Sequence, residues 1–255
     1  MRKIRSALTV FLALMFLGGC MKLGVDIIGA PTMEELSNRM GRVKSYQLAL
    51  DGIPGEILMA TAVTELSPNN LALLKECAYV YFAYGLFVED SDAAYAQDLF
   101  RIGKYYGMRA LKQHPDFKRE VEAGTPVHEL VSLLGPEYAE ALCWTGLNAG
   151  MWVLLNLDDP MSLIETADIT AVVKRSIELK EDYFHGVAKA FMGCYYAMVP
   201  KALDPECGPE NASVMFDAAR QVDNGAMLLI DLFEARFLAV NMNDEDLFDR
   251  LLNQI

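Results

Sequence analysis

The sequence predicts an all-α protein, and three observations lead to that fold class. After Ser67, apolar residues recur at the i, i+3, i+4 spacing that places them on one face of a helix. Asp, Asn, Ser and Pro residues, which start or stop helices, separate these segments. No stretch alternates apolar and polar residues over the length that a half-buried strand requires.

The N-terminus carries a short apolar run behind positive charges. Arg2, Lys3 and Arg5 precede eleven largely apolar residues, Ala7–Leu17. As a helix this run extends about 16 Å, whereas a membrane core is about 30 Å thick, so its length excludes a stable span. The layout is typical of a secretory signal peptide, which we expect to occupy residues 1–19.

The run ends in Leu17-Gly18-Gly19-Cys20, which resembles the lipobox of bacterial lipoproteins. The resemblance implies cleavage before Cys20 and lipid attachment to its thiol. Buried acyl chains gain about 0.8 kcal/mol per methylene, so two or three of them hold a protein on a membrane. Met21 stands where many inner-membrane lipoproteins carry aspartate, which favours the outer membrane. We therefore expect a periplasmic protein with a lipid anchor.

Residues 20–66 form the next predicted unit, a lipidated and mainly irregular segment. Glycines and prolines recur through its first part, residues 21–55, and interrupt any apolar period. Thr32 and Glu35 have the spacing of a capping box, which predicts one short helix over Met33–Gly41.

Residues 67–255 are predicted to form a single helical domain. Cap-forming residues or a proline mark the starts of several helices, as at Ser67, Asp92 and Pro136. Pro115 is expected to end the second helix. The expected helices cover residues 67–89, 92–115, 127–134, 136–156, 164–180, 182–199, 209–222, 226–240 and 244–254.

Pieces of the tetratricopeptide pattern recur in these helices. Small residues in that pattern let paired helices approach, and aromatic residues fill the groove between them. The pieces are Trp144 with Leu147, Gly193 with Tyr196, Ala212 with Phe216, and Ala110 with Pro115. They predict an array of antiparallel helix pairs, a degenerate tetratricopeptide-like superhelix with an insertion around residues 120–135.

The chain is acidic, with 22 basic and 35 acidic residues and a formal charge of −13. Removal of residues 1–19 takes three basic residues and no acid, which leaves −16 on a mature chain of 236 residues. Such a surface argues against nucleic acid and anionic lipid headgroups, since both need a basic patch. The mature length is enough for one sizeable core.

Four cysteines follow Cys20 in the chain, namely Cys77, Cys143, Cys194 and Cys207. None forms a C-x-x-C pair, and their spacing fits no zinc site. We interpret them as buried free thiols. Because an exported protein can oxidise, a disulfide between Cys194 and Cys207 is the alternative.

The sequence predicts neither catalysis nor a metal or cofactor. His114, His128 and His185 are far apart and belong to no ligand motif. The chain has no glycine-rich phosphate loop and no G-x-S-x-G nucleophile elbow. Carboxylate pairs such as Glu137 with Glu140 fall on helix faces, where solvation explains them. We therefore expect a protein that is not an enzyme.

Aromatic residues are concentrated in particular helices. Tyr and Trp have polar tips that need partners, so a helical array can leave a groove or channel that they line. The candidate ligand-lining or channel-lining residues are Tyr84, Tyr106, Trp144, Trp152 and Tyr196. The alternative is that these rings pack the helices together in the core.

From about Pro68 onward the chain resembles the T component of TRAP transporters, the tripartite ATP-independent periplasmic carriers. The resemblance rests on "AYVYFAY", "RIGKYYGMRAL", the helix with Trp144 and Trp152, "SIELKEDYFHG", "YYAMVP" and "ASVMFDAAR". It implies a lipid-anchored helical subunit that forms a homotrimer, has a channel in each protomer and docks the solute-binding P component. It supplies no catalytic residues.

Two functions remain open from the sequence. The first is a T component that passes a small, apolar or amphipathic solute to or from the P component. The second is a tetratricopeptide-like scaffold lipoprotein for envelope or outer-membrane assembly, in which we would expect more regular repeats. A hydrolase built on paired carboxylates is a third, weaker interpretation, because no acid/base pair can be named.

Overall fold

The structure, a computed structural model, describes residues 24, 25, 29, 31–33, 35 and 44–254. These residues contain helices and no strand, which confirms the all-α class. The predicted signal peptide and Cys20 lie outside the described residues. Of the short helix predicted over Met33–Gly41, Met33 and Glu35 are described, and both are helical. The rest of that helix lies outside the described residues. The tetratricopeptide-like arrangement and the domain division at residue 66 stay predictions.

Twelve α-helices occupy residues 44–254. They are α1 (Tyr46–Leu66), α2 (Leu71–Val88), α3 (Ala93–Leu111), α4 (Pro115–Glu122), α5 (Val127–Leu130), α6 (Ala139–Leu154), α7 (Thr166–Leu179), α8 (Val187–Met198), α9 (Pro209–Asp223), α10 (Leu228–Phe233), α11 (Val240–Met242) and α12 (Glu245–Leu252). Short 3-10 turns precede α6, α7 and α8, and a π-helix, Glu234–Ala239, joins α10 to α11.

The prediction that residues 20–66 are mainly irregular is wrong for Tyr46–Leu66, because α1 forms there. Pro54 and the glycines on either side of it predict that a helix would be interrupted here, yet all three lie inside α1. Ile57 and Ala60 on the same helix are buried, and α1 packs along α2. Burial of this side therefore outweighs the poor helix propensity of the glycines and the proline.

The start of α2 differs from the prediction by a few residues. The side chain of Asn70 accepts hydrogen bonds from Ala72 N at 3.1 Å and Leu73 N at 3.2 Å, which makes Asn70 the N-cap. Ser67, the predicted start, is the C-cap of α1, and its N–H donates to Thr64 O at 3.1 Å. Two cap-forming residues close together made the boundary ambiguous in the sequence.

Pro115 begins a helix that the sequence prediction missed. α3 already ends at Leu111, and His114 Nδ1 accepts from Phe117 N at 3.2 Å as the N-cap of α4. Proline suits this first turn, since its missing N–H would have no partner inside the helix. Phe117 is fully buried, so α4 is part of the packed structure rather than a loop insertion.

α2 is a core helix that contacts α1, α3 and α6. Among the described residues it is the one helix long and apolar enough to cross a membrane by length and composition. Other helices bury 56% of that stretch. The apolar character of α2 is therefore explained by its position between neighbouring helices.

Glycines allow close approach between helices that pack together. A Cβ on Gly103 of α3 would lie 2.1 Å from Asn148 Oδ1 on α6. A Cβ on Gly150 of α6 would lie 1.9 Å from Phe191 Cζ on α8. No side chain fits at either position, so helix packing requires glycine there.

The four cysteines in the described part of the chain are free and buried. Burial raises the pKa of Cys77 and of Cys207 to about 12, and it also raises the pKa values of Cys143 and Cys194. The structure therefore contains the predicted thiols, and the alternative disulfide between Cys194 and Cys207 is not formed in it.

The π-helix brings the C-terminal helices into contact with the end of α2. Arg236 Nη1 in the π-helix donates to Glu89 Oε1, and the side chain of Glu89 is only 2% exposed. Burial raises the pKa of this carboxyl, although the guanidinium beside it acts in the opposite direction. The other carboxylate oxygen, Oε2, has no hydrogen-bond partner. This ion pair joins residues that are 147 positions apart in the chain.

Candidate functional site

A left-handed turn leads into α8. Phe184, His185 and Gly186 have φ values of 44°, 60° and 72°, a conformation that non-glycine residues rarely adopt. His185 Nδ1 lies 2.6 Å from Oδ1 of Asp223, whose side chain is fully buried. The other oxygen of Asp223 accepts from Met227 N. The contact with Asp223, at the end of α9, holds the turn in this conformation. The turn directs Phe184 toward the protein interior.

Trp144 is the centre of an aromatic cluster. It is 1% exposed, and its Nε1 donates to Tyr183 Oη at 2.8 Å. The ring centroids of Tyr79, Phe82 and Phe184 lie 4.8, 5.5 and 5.0 Å from the Trp144 centroid. Burial raises the pKa of Tyr79 to about 12. These five residues, the Trp144 cluster, connect α2, α6 and the turn before α8.

Tyr106 and Tyr84 make their contacts at the interface of α2 and α3. Tyr106 Oη donates to Glu65 Oε1 at 3.1 Å, and its ring stacks on Tyr81 with centroids 5.8 Å apart. Burial raises the pKa of Tyr106, and the carboxylate of Glu65 adds to the shift. Tyr84 meets Tyr95 edge to face at 6.0 Å. Both candidate tyrosines are therefore engaged in helix packing.

Tyr196 and Trp152 lie in other surroundings. Tyr196 Oη donates to Glu206 Oε2 at 2.9 Å, and Lys174 Nζ lies 5.9 Å from the ring centroid. Burial and the hydrogen bond to Glu206 raise the pKa of Tyr196 to about 12. Trp152 is half-buried, and its carbonyl oxygen accepts from Asn156 Nδ2 at 2.7 Å.

The structure does not gather the five candidate aromatic residues around one space. In the described part of the chain, no ring contact joins any two of them. Four of the five are at most 8% exposed, and Trp152 is the exception. Their positions favour the alternative that these rings pack helices together.

A cleft of about 200 Å³ lies between α3, α5, α6 and α7. Most of its lining is apolar and comes from small or branched side chains. The lining residues are Lys104, Met108, Val127, Thr145, Gly146, Ala149, Glu165, Asp168, Ile169 and Val172. Ligand sites in proteins are mainly apolar spaces with a few polar groups, and this cleft has that composition.

The polar residues of the cleft are paired with each other or with the backbone. Lys104 Nζ donates to Glu165 Oε2, which joins α3 to the turn before α7. Asp168 Oδ1 accepts from the backbone N of His128 at 2.9 Å and lies 2.6 Å from its Nδ1. Thr145 Oγ1 donates to the backbone of its own helix at 2.6 Å. The remaining lining therefore offers an apolar surface to a ligand.

None of the five aromatic candidates lines this cleft. By helical spacing, Trp152 follows Thr145 and Ala149 on one face of α6, but the cleft ends before it. No large aromatic residue marks the cleft in the sequence, because α6 contributes Thr145, Gly146 and Ala149 to its lining. The aromatic candidates were predicted from their concentration in particular helices and their polar tips, although most of them fill space in the core.

The three histidines have structural contacts. His114 caps α4, His128 pairs with Asp168, and His185 holds the left-handed turn through Asp223. Within the residues that the structure describes, no three His, Cys, Asp or Glu side chains come together as a metal site would require. What the described arrangement offers to a ligand is an apolar space and packed surfaces.

The described helices and the small apolar cleft define an all-α protein with a candidate ligand site, and comparison with known families identifies its class. The family model for the TRAP transporter T-component matches residues 44–255. The chain belongs to this family. It is therefore a component of a TRAP transport system and is associated with the periplasmic side of the cell envelope. No curated protein gives a match.

The family match extends further toward the N-terminus than the resemblance seen in the sequence. The recognisable stretches begin near Pro68, whereas the match begins at residue 44 and includes all of α1. Residues 44–66, the last part of the segment that was expected to be irregular, thus belong to the family's domain.

Proposed function

We propose that this protein is a lipid-anchored T component that docks the P component of its transporter. In this proposal it helps to transfer a small, apolar or amphipathic ligand, and the cleft between α3 and α7 holds the apolar part of that ligand. The family membership supports the transport role. One observation carries the ligand assignment. The lining of the cleft is mainly apolar, and its polar residues already have partners within the protein.

Filling the cleft tests the ligand assignment. Ala149 lies in the lining, so Ala149→Phe is expected to occupy the space that the ligand would use. With the neutral dye N-phenyl-1-naphthylamine as the probe, we expect Ala149→Phe to weaken binding by about tenfold or more, the equivalent of about 1.4 kcal/mol. Fluorescence titration of the dye measures the change.

The matched control is Ala94→Phe, at an exposed position near the start of α3 and outside the cleft. This variant should bind the dye as the wild type does. Equal binding by Ala149→Phe and wild type, with both folded by circular dichroism, would contradict the assignment of the cleft.

The lipid anchor is a separate part of the proposal. Cys20→Ala removes the thiol that the lipobox would modify, so the protein should no longer be held by acyl chains. We expect the helical domain to remain folded, since all its described residues are unchanged. Membrane fractionation after a high-salt wash measures the effect. A variant that still sediments with membranes would contradict lipid attachment at Cys20.

Docking of the P component is tested with the chain from Met21 onward, which keeps every residue that the structure describes. Calorimetry should show binding to the P component of its transporter, and the mass in solution should be that of a homotrimer. In cells we expect this lipid-anchored protein to be located at the outer membrane. A monomer that does not bind the P component but binds an outer-membrane assembly protein would favour the scaffold function instead.

A further inference from the structure

Three of the residues that line the cleft are charged, and they lie close together between α3 and the start of α7. Lys104 Nζ donates to Glu165 Oε2, and Asp168 follows Glu165 by three positions in the first turn of α7. Side chains three positions apart on a helical turn are neighbours, with Cβ atoms about 5–6 Å apart. One lysine and two carboxylates give the described lining a formal charge of −1.

Each of the two carboxylates uses one oxygen for its contacts within the protein. Asp168 Oδ1 lies 2.9 Å from His128 N and 2.6 Å from His128 Nδ1, and Glu165 Oε2 accepts from Lys104. From the part of the chain that the structure describes, no hydrogen bond reaches Asp168 Oδ2 or Glu165 Oε1. The side chain of Glu165 is 41% exposed and that of Asp168 is 37% exposed. Two acceptor oxygens are therefore accessible at the edge of an apolar space.

An ammonium group matches this arrangement. It has three N–H donors and a positive charge, so it can donate to both carboxylates at once. Hydrogen bonds between a charged donor and a carboxylate are about twice as strong as those between neutral groups. The added charge would bring the lining from −1 to zero. An alkyl group on the same ligand would contact the apolar lining, which includes Met108, Val127, Ile169 and Val172.

An anionic ligand would meet unfavourable charges in the same place. Lys104 is the one cation among the described residues that line the cleft, and it is already paired with Glu165. A carboxylate ligand would have to displace Glu165 and would then lie beside Asp168, where like charges repel. The start of α7 favours negative charge, but Glu165 and Asp168 already supply it.

We propose that the ligand of the cleft is an amphipathic amine, an inference that rests on the cleft assignment of the proposed function. The protonated amine donates to Asp168 Oδ2 and Glu165 Oε1, and the apolar part of the ligand lies between α3, α6 and α7. Lys104 limits the preference for a cation, because it neutralises one of the two acids.

Three ligands with the same alkyl chain separate the effect of charge from that of apolar contact. Octylamine, octan-1-ol and octanoate should displace the neutral dye N-phenyl-1-naphthylamine from the wild-type chain at neutral pH with decreasing affinity in that order. We expect octylamine to bind about tenfold more tightly than octan-1-ol, the equivalent of about 1.4 kcal/mol. Fluorescence titration measures each competition.

Two substitutions should change this preference in opposite directions. Asp168→Asn keeps an oxygen that can accept from His128 N but removes the charge, so octylamine should lose most of its advantage over octan-1-ol. Lys104→Met removes the positive charge, so octylamine should gain affinity and octanoate should lose it. The matched control is Asp98→Asn, which removes an exposed carboxylate outside the cleft and should leave the order and spacing of the three affinities unchanged.

The comparison with octan-1-ol keeps this inference separate from the cleft assignment. A purely structural effect of Asp168→Asn or Lys104→Met would change the affinities of all three ligands alike and would contradict the proposed role of charge. If octan-1-ol displaces the dye as well as octylamine does, or octanoate displaces it better, the amine assignment is overturned and the cleft assignment stands. If neither the dye nor any of the three ligands binds the wild type, both are overturned.

Discussion

Trp144→Ala is expected to lower the free energy of unfolding by about 3–5 kcal/mol, because it removes the centre of the Trp144 cluster and leaves a cavity. The indole is almost completely buried and touches rings from α2 and from the turn before α8. Tyr183 Oη would also lose its hydrogen bond. Urea denaturation followed by circular dichroism measures the loss.

Trp152→Ala is the matched control on the same helix. Its ring is only half-buried, so truncation leaves a smaller cavity and a smaller loss is expected. Trp144→Phe keeps most of the buried area but removes the Nε1 donor, which should cost about 1–3 kcal/mol. If Trp144→Ala costs no more than Trp152→Ala, the indole of Trp144 lines an open space rather than the core.

Arg236→Ala is expected to lower the free energy of unfolding by about 3–5 kcal/mol, because it leaves a buried carboxylate without its ion-pair partner. Glu89 is almost fully buried, and Arg236 supplies its close positive charge. The second oxygen of Glu89 already has no hydrogen-bond partner, so nothing else compensates. Chemical denaturation at neutral pH measures the effect.

Two controls separate the buried charge from the loss of a side chain. Replacing both partners, as Glu89→Gln with Arg236→Met, should cost less than Arg236→Ala, since no buried charge remains. Arg101→Ala removes an exposed arginine that pairs with Asp98 at 3.1 Å, and it should change stability by less than about 0.5 kcal/mol. A double variant as unstable as Arg236→Ala would contradict the explanation.

The loss in Arg236→Ala should depend on pH in a defined direction. Burial raises the pKa of Glu89 above its usual 4.5, and Arg236 opposes this rise, so removing Arg236 raises the pKa further. A carboxyl with a raised pKa in the folded protein favours folding below its usual pKa and loses that contribution as the pH rises through the folded value. The deficit of the variant should therefore be smaller at about pH 5 than at about pH 7.5.

Helical periodicity predicted the fold class and most helices, but not the parts that packing decides. Pro54 and its neighbouring glycines indicated irregular chain, and only burial of Ile57 and Ala60 on α2 explains why a helix forms there. Pro115 can end one helix or begin the next, and the cap from His114 decides between them. The first depends on contacts with another helix, which local sequence does not contain. The second is a local cap, but histidine is not among the residues preferred at N-caps, so the sequence gives no clear signal of it.

The candidate site was harder to predict than the fold. Aromatic residues such as Trp144 were selected for their size and polar tips, and the structure uses most of them to fill the interior. The cleft forms instead beside Thr145, Gly146 and Ala149 of α6, and its lining comes from four separate helices. The size of a cleft depends on the distance between helices that are remote in the chain. A pattern of residues within one helix does not contain that distance.

The ion pair between Glu89 and Arg236 has a consequence for the cooperativity of unfolding. In an open array each helix pair contacts only its neighbours, so terminal units can open alone. Here an ion pair joins the end of α2 to the π-helix 147 residues later. The end of α2 and the π-helix cannot then separate without leaving the buried carboxylate of Glu89 unpaired. The region from α2 to the π-helix should consequently unfold as one all-or-none unit.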